Sequence, residues 1–349
     1  MAVRQDQALA AAERSLNQTD SKTNQEMKSY LDETVNVYRD AALKPDVGLC
    51  CTTTPIWALP GLDMPSIMLE MNYGCGSTVN PRDLVNEPTV LYVGVGGGME
   101  VFQFSYFSRK KNGVIGVDVV DEMLDSCREN LKTAEETNPW FKSEFVDVRK
   151  GDALNLPVED ESIDVAAQNC LFNIFNKEDL KKALAEMYRV LKPHGRLVLS
   201  DPVTEDPMPE ALKADDRLRA LCLSGSLPLN EYIQMMTDAG FGTIEIRAKR
   251  PYRVLDTKHY DTDKNIYLES VEVCAIKDPM PEDGPCVFTG KAAIYYGDDE
   301  YFDDGNGHTL VPNQPLGICD KTAAAFRALN REDIYISEST YHYDGGGAC

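Results

Sequence analysis

Cysteine thiols in four separate segments are the side chains with the clearest chemical potential. Cys50 and Cys51 stand together in GLCCTTTP, Cys75 lies between two glycines in MNYGCGSTV, and Cys170 and Cys222 stand in QNCLFNIF and LCLSGSLPLNEY. Thiolates are soft ligands that select soft centres. The wide spacing lacks the close Cys-x₂-Cys pairs typical of a zinc site, although it does not exclude a metal. The thiols therefore indicate a site for a soft centre or, for each cysteine taken alone, burial in a core.

A glycine-rich turn followed by two aspartates indicates a site for a nucleoside. Gly94, Gly96 and Gly98 follow a predicted strand and precede a predicted helix. Glycines there let the backbone approach a ligand at the carboxyl edge of a sheet. Asp118 follows the next strand, where its carboxylate can accept hydrogen bonds from both ribose hydroxyls, and Asp152 follows the third. The turn alone equally fits a dinucleotide, although it lacks the last glycine of G-x-G-x-x-G.

The elements that must position these residues alternate along the chain. Short apolar runs predict strands over 90–95, 114–119, 144–152, 163–169 and 196–202. Apolar residues at helical spacing predict helices over 21–45, 121–136, 177–193 and 230–241. Alternating strands and helices predict right-handed βαβ units around a buried sheet. The expected fold class is α/β, with a doubly wound, mostly parallel sheet and a smaller β-rich C-terminal domain.

Composition and charge exclude several classes of protein. The 349 residues are 43% hydrophobic and 26% charged, which is typical of a globular chain. Lys and Arg number 35 against 57 Asp and Glu, a net charge of −22, which disfavours nucleic acid and anionic membranes as partners. No apolar run of 18 residues and no convincing signal peptide is present. We therefore expect a cytoplasmic protein whose ten cysteines are mostly free thiols.

Several segments resemble the class I S-adenosylmethionine-dependent methyltransferases. The match covers about residues 86–202 and rests on GVDVVDEML, KGDALNLPVEDESIDVA and MYRVLKPHGRLVLSD, in that order. The resemblance implies S-adenosylmethionine as cofactor, with the glycine turn passing its methionine part. Asp118 then takes the ribose, while Asp152 and Ala153 flank the adenine. Asn169 is expected near the cofactor, and Met123 either borders the adenosine or packs in the core.

One position departs from the pattern of this family. The family usually has an acid two residues before the first glycine, where this chain has Tyr92. Contacts to the amino end of the cofactor are therefore expected to differ.

The cysteine segments resemble a narrower group, the arsenite S-adenosylmethionine methyltransferases. The matching motifs are CCTT, YGCGS, NCLFN and CLSGSL, and the match extends through about residues 46–245. The resemblance implies Cys75, Cys170 and Cys222 as arsenic(III) ligands, and Cys50 or Cys51 as a redox cysteine. It also implies a thiol reductant, glutathione or thioredoxin, acting by thiol–disulfide exchange, and a role in arsenic detoxification.

Physical chemistry supplies a mechanism for such a site. Trivalent arsenic bound by three thiolates is pyramidal and keeps a lone pair. That lone pair can attack the sulfonium methyl group in line, and no general base is needed because the attacking atom carries no proton.

The domain prediction has three parts. Residues 1–45 form an N-terminal tail and helix, residues 46–248 an S-adenosylmethionine-binding domain with the cysteine loops, and residues 249–349 a small α+β domain. Cys127 is expected in the core, and Cys274, Cys286 and Cys319 are expected to pack. We expect a monomer that acts on a small molecule, arsenite or its thiol conjugates, with thioredoxin as a candidate partner.

Two alternatives stay open on these residues. The first is a methyltransferase for an ordinary carbon, oxygen or nitrogen nucleophile, whose cysteines only pack. The second is a non-catalytic, thiol-based metalloid-binding protein, which the tyrosine at position 92 keeps open.

Overall fold

A mixed eight-stranded sheet forms the centre of the computed structural model, which describes residues 30–46, Leu49 and residues 57–348. Its parallel strands are β1 (Val90–Val93), β2 (Val114–Asp118), β3 (Val146–Lys150), β4 (Ile163–Asn169) and β5 (Leu191–Thr204). The sheet continues with β6 (Thr243–Leu255), β7 (Ile266–Ile276) and β8 (Cys286–Phe288). The order is β3-β2-β1-β4-β5-β7-β6-β8, and β7 runs antiparallel to both of its neighbours.

Helices cover both faces of this sheet, as the alternating pattern predicts. Their bounds are α1 (30–43 as described), α2 (Ser66–Glu70), α3 (Met99–Ser108), α4 (Asp121–Thr137), α5 (Lys177–Val190), α6 (Glu210–Lys213), α7 (Asp216–Ala220), α8 (Leu229–Asp238) and α9 (Asp320–Ala328). Local sequence sets their ends: Asn176 begins α5, because its side chain accepts a hydrogen bond from the Asp179 amide at 2.9 Å. The predicted α/β fold class is confirmed.

Strands β6 and β7 extend the central sheet. The predicted boundary between residues 248 and 249 falls inside β6, and β7 pairs along β5 from Arg196 to Thr204. The sequence of a strand shows which of its faces is buried but not which strand lies beside it. The pairing of β7 with β5 therefore could not be predicted from the hydrophobic pattern.

The C-terminal region has a small sheet and core of its own. It contains β9 (Lys291–Tyr295), β10 (Phe302–Asp303), β11 (Thr309–Leu310), β12 (Leu316–Ile318), β13 (Ile334–Ile336) and β14 (Gly347–Ala348). Four of these pair in the order β13-β9-β12-β14, and β10 pairs with β11. Tyr295, Ile318 and Phe326 pack between the small sheet and α9.

The cysteines outside the motifs are mostly structural. Cys127, Cys274 and Cys319 are buried thiols outside any disulfide bond, which confirms their predicted packing. Cys286 takes part in a disulfide bond, so the prediction that it only packs is wrong. Cys50 and Cys51 lie outside the described residues. Of the helices described, none is both long and apolar enough to cross a membrane.

Candidate active site

A cavity opens at the carboxyl edge of the parallel strands, where β1 lies between β2 and β4. Open α/β sheets bind ligands at such a point, because the connections leave β1 and its neighbour in opposite directions. The space between its walls, including the part open to solvent, is about 1110 Å³, which is ample for a small organic ligand. The loops after β1, β2, β3 and β4 form its floor, and α1 forms part of its wall.

The glycine turn contributes bare backbone to the cavity wall. Gly94 and Gly96 line the cavity with φ of +82° and +50°, a region that favours glycine. Gly97 also lines it, and a Cβ there would stand 2.5 Å from the Met71 Cβ. Gly98 is not among the lining residues. A Cβ at Gly98 would stand 3.0 Å from the Cys127 Sγ, so this glycine serves the packing of α3 on α4 rather than the predicted ligand contact.

Asp118 is fixed at the end of β2 by two backbone amides. Its Oδ2 accepts a hydrogen bond from Val95 at 3.0 Å, and its Oδ1 accepts one from Val120 at 2.9 Å. Each carboxylate oxygen keeps a further lone pair, so the group can still accept from a diol. Burial raises the pKa of Asp118 to about 6.

The other predicted cofactor residues also line the cavity: Met123, Asp152, Ala153 and Asn169. Asn169 is already engaged, because its Oδ1 accepts from the Cys75 amide and its Nδ2 donates to the Gly76 carbonyl, both at 2.9 Å. Its side chain thus ties the first cysteine loop to the end of β4.

The structure adds residues that the sequence reasoning missed. Leu31, Val35 and Tyr38 of α1 reach the cavity, and Glu100 of α3 lines it beside Tyr92. The apolar face of α1 was visible in the sequence, but nothing showed which surface it covers. For Glu100 the only signal was an acid in the first helical turn after the glycines.

The electrostatic character of the cavity is uniformly negative. Among the described lining residues the charged side chains are Glu100, Asp118 and Asp152, with no Lys, Arg or His. Such a site stabilises a cationic ligand. S-adenosylmethionine fits a negatively charged cavity, because the two positive charges of its sulfonium and ammonium groups exceed the single negative charge of its carboxylate.

The three predicted ligand cysteines come together in one buried cluster. Cys75, Cys170 and Cys222 are exposed by 1%, 3% and 0% and pack in the same apolar group. Cys170 lines the cavity, whereas Cys75 and Cys222 are not among its lining residues. The Cys222 thiol donates to the Cys170 carbonyl, and the Cys75 Sγ lies 3.4 Å from the Ser200 Oγ. Across the described part of the chain no three His, Cys, Asp or Glu side chains are already arranged to hold a metal ion.

Close approach of backbone places Cys75 in this cluster. A Cβ at Gly74 would stand 2.5 Å from the Asn169 Nδ2, and one at Gly76 would stand 2.2 Å from the Ser200 Oγ. The two glycines of the YGCGS motif therefore let the loop enter between the ends of β4 and β5.

The Cys170 and Cys222 loops are held in a less common backbone conformation. Cys170 and Cys222 have φ of +61° and +58°, which costs energy for a residue with a side chain. Below them, the buried carboxylate of Asp201 accepts a hydrogen bond from Tyr232 at 2.7 Å and another from Gln168. Gln168 in turn accepts from the Leu171 amide at 2.8 Å, next to Cys170. This network fixes the turn that carries Cys170.

Comparison with known proteins identifies the domain. The profile of a family described as a methyltransferase domain matches residues 91–199, from β1 into β5. A crystal structure of an arsenic(III) S-adenosylmethionine methyltransferase from Chlamydomonas reinhardtii superposes with a TM-score of 0.55. That alignment is 23% identical, covers 80% of this chain and 95% of that one, and shows the shared fold.

Residues 91–199 are therefore similar to a methyltransferase domain, and the fold of the chain is that of the class I methyltransferases.

Two relatives of this chain are named arsenite methyltransferase. The one from Halobacterium salinarum is 30% identical over 209 residues, 60% of this chain and 51% of that protein. The one from Aquipseudomonas alcaligenes is 28% identical over 258 residues, 71% of each chain. The chain thus spans about half the length of the first relative and more of the second.

Proposed function

We propose that this protein transfers methyl groups from S-adenosylmethionine to trivalent arsenic, as arsenite and methylarsenite. The observation that carries the proposal is the gathering of Cys75, Cys170 and Cys222 in one buried cluster, of which Cys170 lines the acidic cavity. The names of the two relatives agree with it.

Residues around the cavity have distinct tasks toward the cofactor. S-adenosylmethionine supplies an electrophilic methyl group when bound. Asp118 accepts hydrogen bonds from the ribose, Asp152 and Ala153 border the adenine, and the glycine turn lies along the methionine part. The negative charge of the cavity stabilises the positive charge of the ligand.

The three thiols bind arsenic as substrate after a local rearrangement. Arsenous acid and three thiols give a tris-thiolate and three waters, so each S–H bond is exchanged for an S–As bond. The contacts of Cys222 with the Cys170 carbonyl and of Cys75 with Ser200 must open for this exchange. Soft sulfur ligands suit this soft centre better than the hydroxyl groups they replace.

Methyl transfer then needs positioning and no proton transfer. The arsenic lone pair forms the As–C bond as the S–CH₃ electrons return to sulfur, and arsenic is formally oxidised by two electrons. Two thiols that become a disulfide return these electrons. In our proposal Cys50 or Cys51 belongs to this relay, and glutathione or thioredoxin restores the thiols.

The test is methyl transfer from labelled S-adenosylmethionine to arsenite in the presence of a thiol, with separation of the arsenic products. We expect Cys170→Ser and Cys222→Ser to abolish methylated arsenic while S-adenosylmethionine still binds by calorimetry, because serine is a hard ligand. The matched control is Cys319→Ser, a buried free cysteine of the C-terminal core, which should keep full activity.

Three results would contradict the proposal. Normal arsenic methylation by Cys170→Ser and Cys222→Ser would show that these thiolates are not the arsenic ligands. Cofactor binding without any arsenic product would indicate an ordinary nucleophile as substrate, and arsenite binding without cofactor binding would indicate a sequestering protein.

The proposal also includes a cellular setting and a set of partners. We propose a monomer that works in the cytoplasm on a small molecule and contributes to arsenic detoxification. The net charge of −22 supports the absence of nucleic-acid and membrane partners.

A further inference from the structure

We propose that Glu100, oriented by Tyr92, is the carboxylate that binds the ammonium group of S-adenosylmethionine. This inference rests on the cofactor half of the proposed function and not on arsenic. It assigns a ligand to the amino end of the cofactor, for which the sequence offered no residue.

The position of Glu100 within the cavity matches the expected course of the ligand. Asp118 and Asp152 follow β2 and β3, on the side of the sheet where the adenosine is expected. Glu100 contacts Tyr92 of β1 and Asn169 of β4, at the opposite end of the cavity floor. A ligand that places its nucleoside at the two aspartates therefore extends its amino-acid part toward Glu100.

The bonding of Glu100 shows a carboxylate held in place with room for one more donor. Its Oε1 accepts from the Thr78 amide at 2.9 Å, and its Oε2 accepts from the Tyr92 hydroxyl at 2.5 Å and from the Asn169 Nδ2 at 3.1 Å. A carboxylate can accept about four hydrogen bonds. Glu100 also lines the cavity, so a ligand there can supply the fourth donor.

Among the described residues that line the cavity, none is a cation that could pair with Glu100. The side chain of Glu100 is buried, with 4% exposure. Burial is the largest cause of the shift in its pKa and raises it. Burying an unpaired charge is costly, so native proteins pair such a group with a protein or ligand cation. The ammonium group of the cofactor is a cation of the right chemistry.

The contact with Tyr92 explains how Glu100 of α3 can take the place of the acidic residue that the family usually has on the first strand. Tyr92 stands where the resembling family usually has an acid, and its hydroxyl donates to the Glu100 carboxylate. The tyrosine thus occupies the strand position and orients an acid that enters from the first turn of α3.

The test compares two ligands in the variant Glu100→Gln. S-adenosylmethionine carries the ammonium group, and 5′-methylthioadenosine has the adenosine and a methylthio group without the amino-acid part. We expect the Kd for S-adenosylmethionine to rise by about 10- to 100-fold, the range of a buried charge-assisted hydrogen bond, with little change for 5′-methylthioadenosine. Glu129→Gln, on the exposed face of α4, is the matched control and should bind both ligands normally.

Every outcome of the calorimetry decides the assignment. Equal weakening of both ligands would show that Glu100 only supports the structure, and unchanged binding of both would show that it has no role. Glu100→Asp keeps the charge but shortens the side chain, and we expect an intermediate loss for S-adenosylmethionine alone; loss of both ligands would overturn the assignment. If the unaltered protein binds S-adenosylmethionine but does not methylate arsenite, the arsenic proposal fails and this inference stands.

Discussion

Asp201 shows how one buried carboxylate can support a site that it does not touch. It has no exposed surface, and burial raises its pKa to about 7. Its hydrogen bonds with Tyr232 and Gln168 stabilise the turn that carries Cys170. The folded state therefore holds on to this proton through a pH range in which the unfolded chain has already lost it.

The raised pKa of Asp201 predicts a pH dependence of stability. A carboxyl group with a raised pKa in the folded state costs no stability below its unfolded value near 3.9, and its penalty grows until the pH exceeds about 7. We expect Asp201→Asn to lack this component. Urea unfolding at intervals from pH 4 to pH 8 measures it, and the stability difference between the two proteins should change by a few kcal/mol, with most of the change between pH 4 and 7.

The same unfolding experiment can also contradict the raised pKa of Asp201. A stability difference that stays constant across this range would mean that Asp201 is ionised in the folded protein at all of these pH values. Asp164→Asn, at a half-exposed carboxylate paired with Lys192, is the matched control.

At the scale of elements, the turn from Gly74 to Gly76 brings Cys75 into the cysteine cluster. Its backbone passes so close to β4 and β5 that a methyl group has no room at either glycine. The turn is held by the Asn169 side chain of β4 and by the Ser270 hydroxyl of β7, which donates to the Cys75 carbonyl at 2.8 Å. A small change here is therefore transmitted directly to the Cys75 thiol.

Gly76→Ala is expected to displace Cys75 while the domain stays folded. The added Cβ would meet the Ser200 Oγ at 2.2 Å, and overpacking of this kind costs about 1–3 kcal/mol. We expect weaker arsenite binding by thiol-protection kinetics and unchanged binding of S-adenosylmethionine. Gly346→Ala, where only the end of the Asp344 side chain is near, serves as control. Unchanged arsenite affinity in Gly76→Ala would contradict a role for the turn.

The elements also show what the sequence could and could not predict. The strands β1 to β5 and the helices between them follow from periodicity and glycine signals, because neighbours in a βαβ unit are near in sequence. The place of β7 depends on pairing with β5, about 70 residues earlier, and no local pattern encodes it. The same limit applies to the contact of Glu100 with Asn169 and to the cover that α1 provides.

At the scale of the molecule, α1 joins the two sides of the cavity. Its Tyr30 hydroxyl donates to Asp179 of α5 at 2.5 Å, and its Arg39 pairs with Glu122 of α4 at 3.1 Å. The Tyr73 hydroxyl adds a bond to the Ala41 carbonyl at 3.1 Å. Since α1 residues line the cavity, a bound ligand leaves more readily when these ties open.

Tyr30→Phe is expected to speed the release of S-adenosylmethionine. The variant keeps the ring and loses one buried hydrogen bond, worth about 1 kcal/mol or roughly a fivefold change in the opening of α1. Stopped-flow displacement measures the dissociation rate. Tyr267→Phe, an exposed tyrosine on β7, is the matched control. Equal dissociation rates in the Tyr30 variant and the unaltered protein would mean that α1 does not gate the cavity.

The antiparallel strand β7 has a consequence for folding of the chain during its synthesis on the ribosome. It separates β5 from β6 but is made after both. Until about residue 276 has left the exit tunnel, β5 has an open edge along nine residues, from Arg196 to Thr204. Such an edge can recruit strands from other nascent chains. Substitutions that slow the pairing of β7 should therefore reduce the yield of protein in cells more than they reduce the stability of the protein once folded.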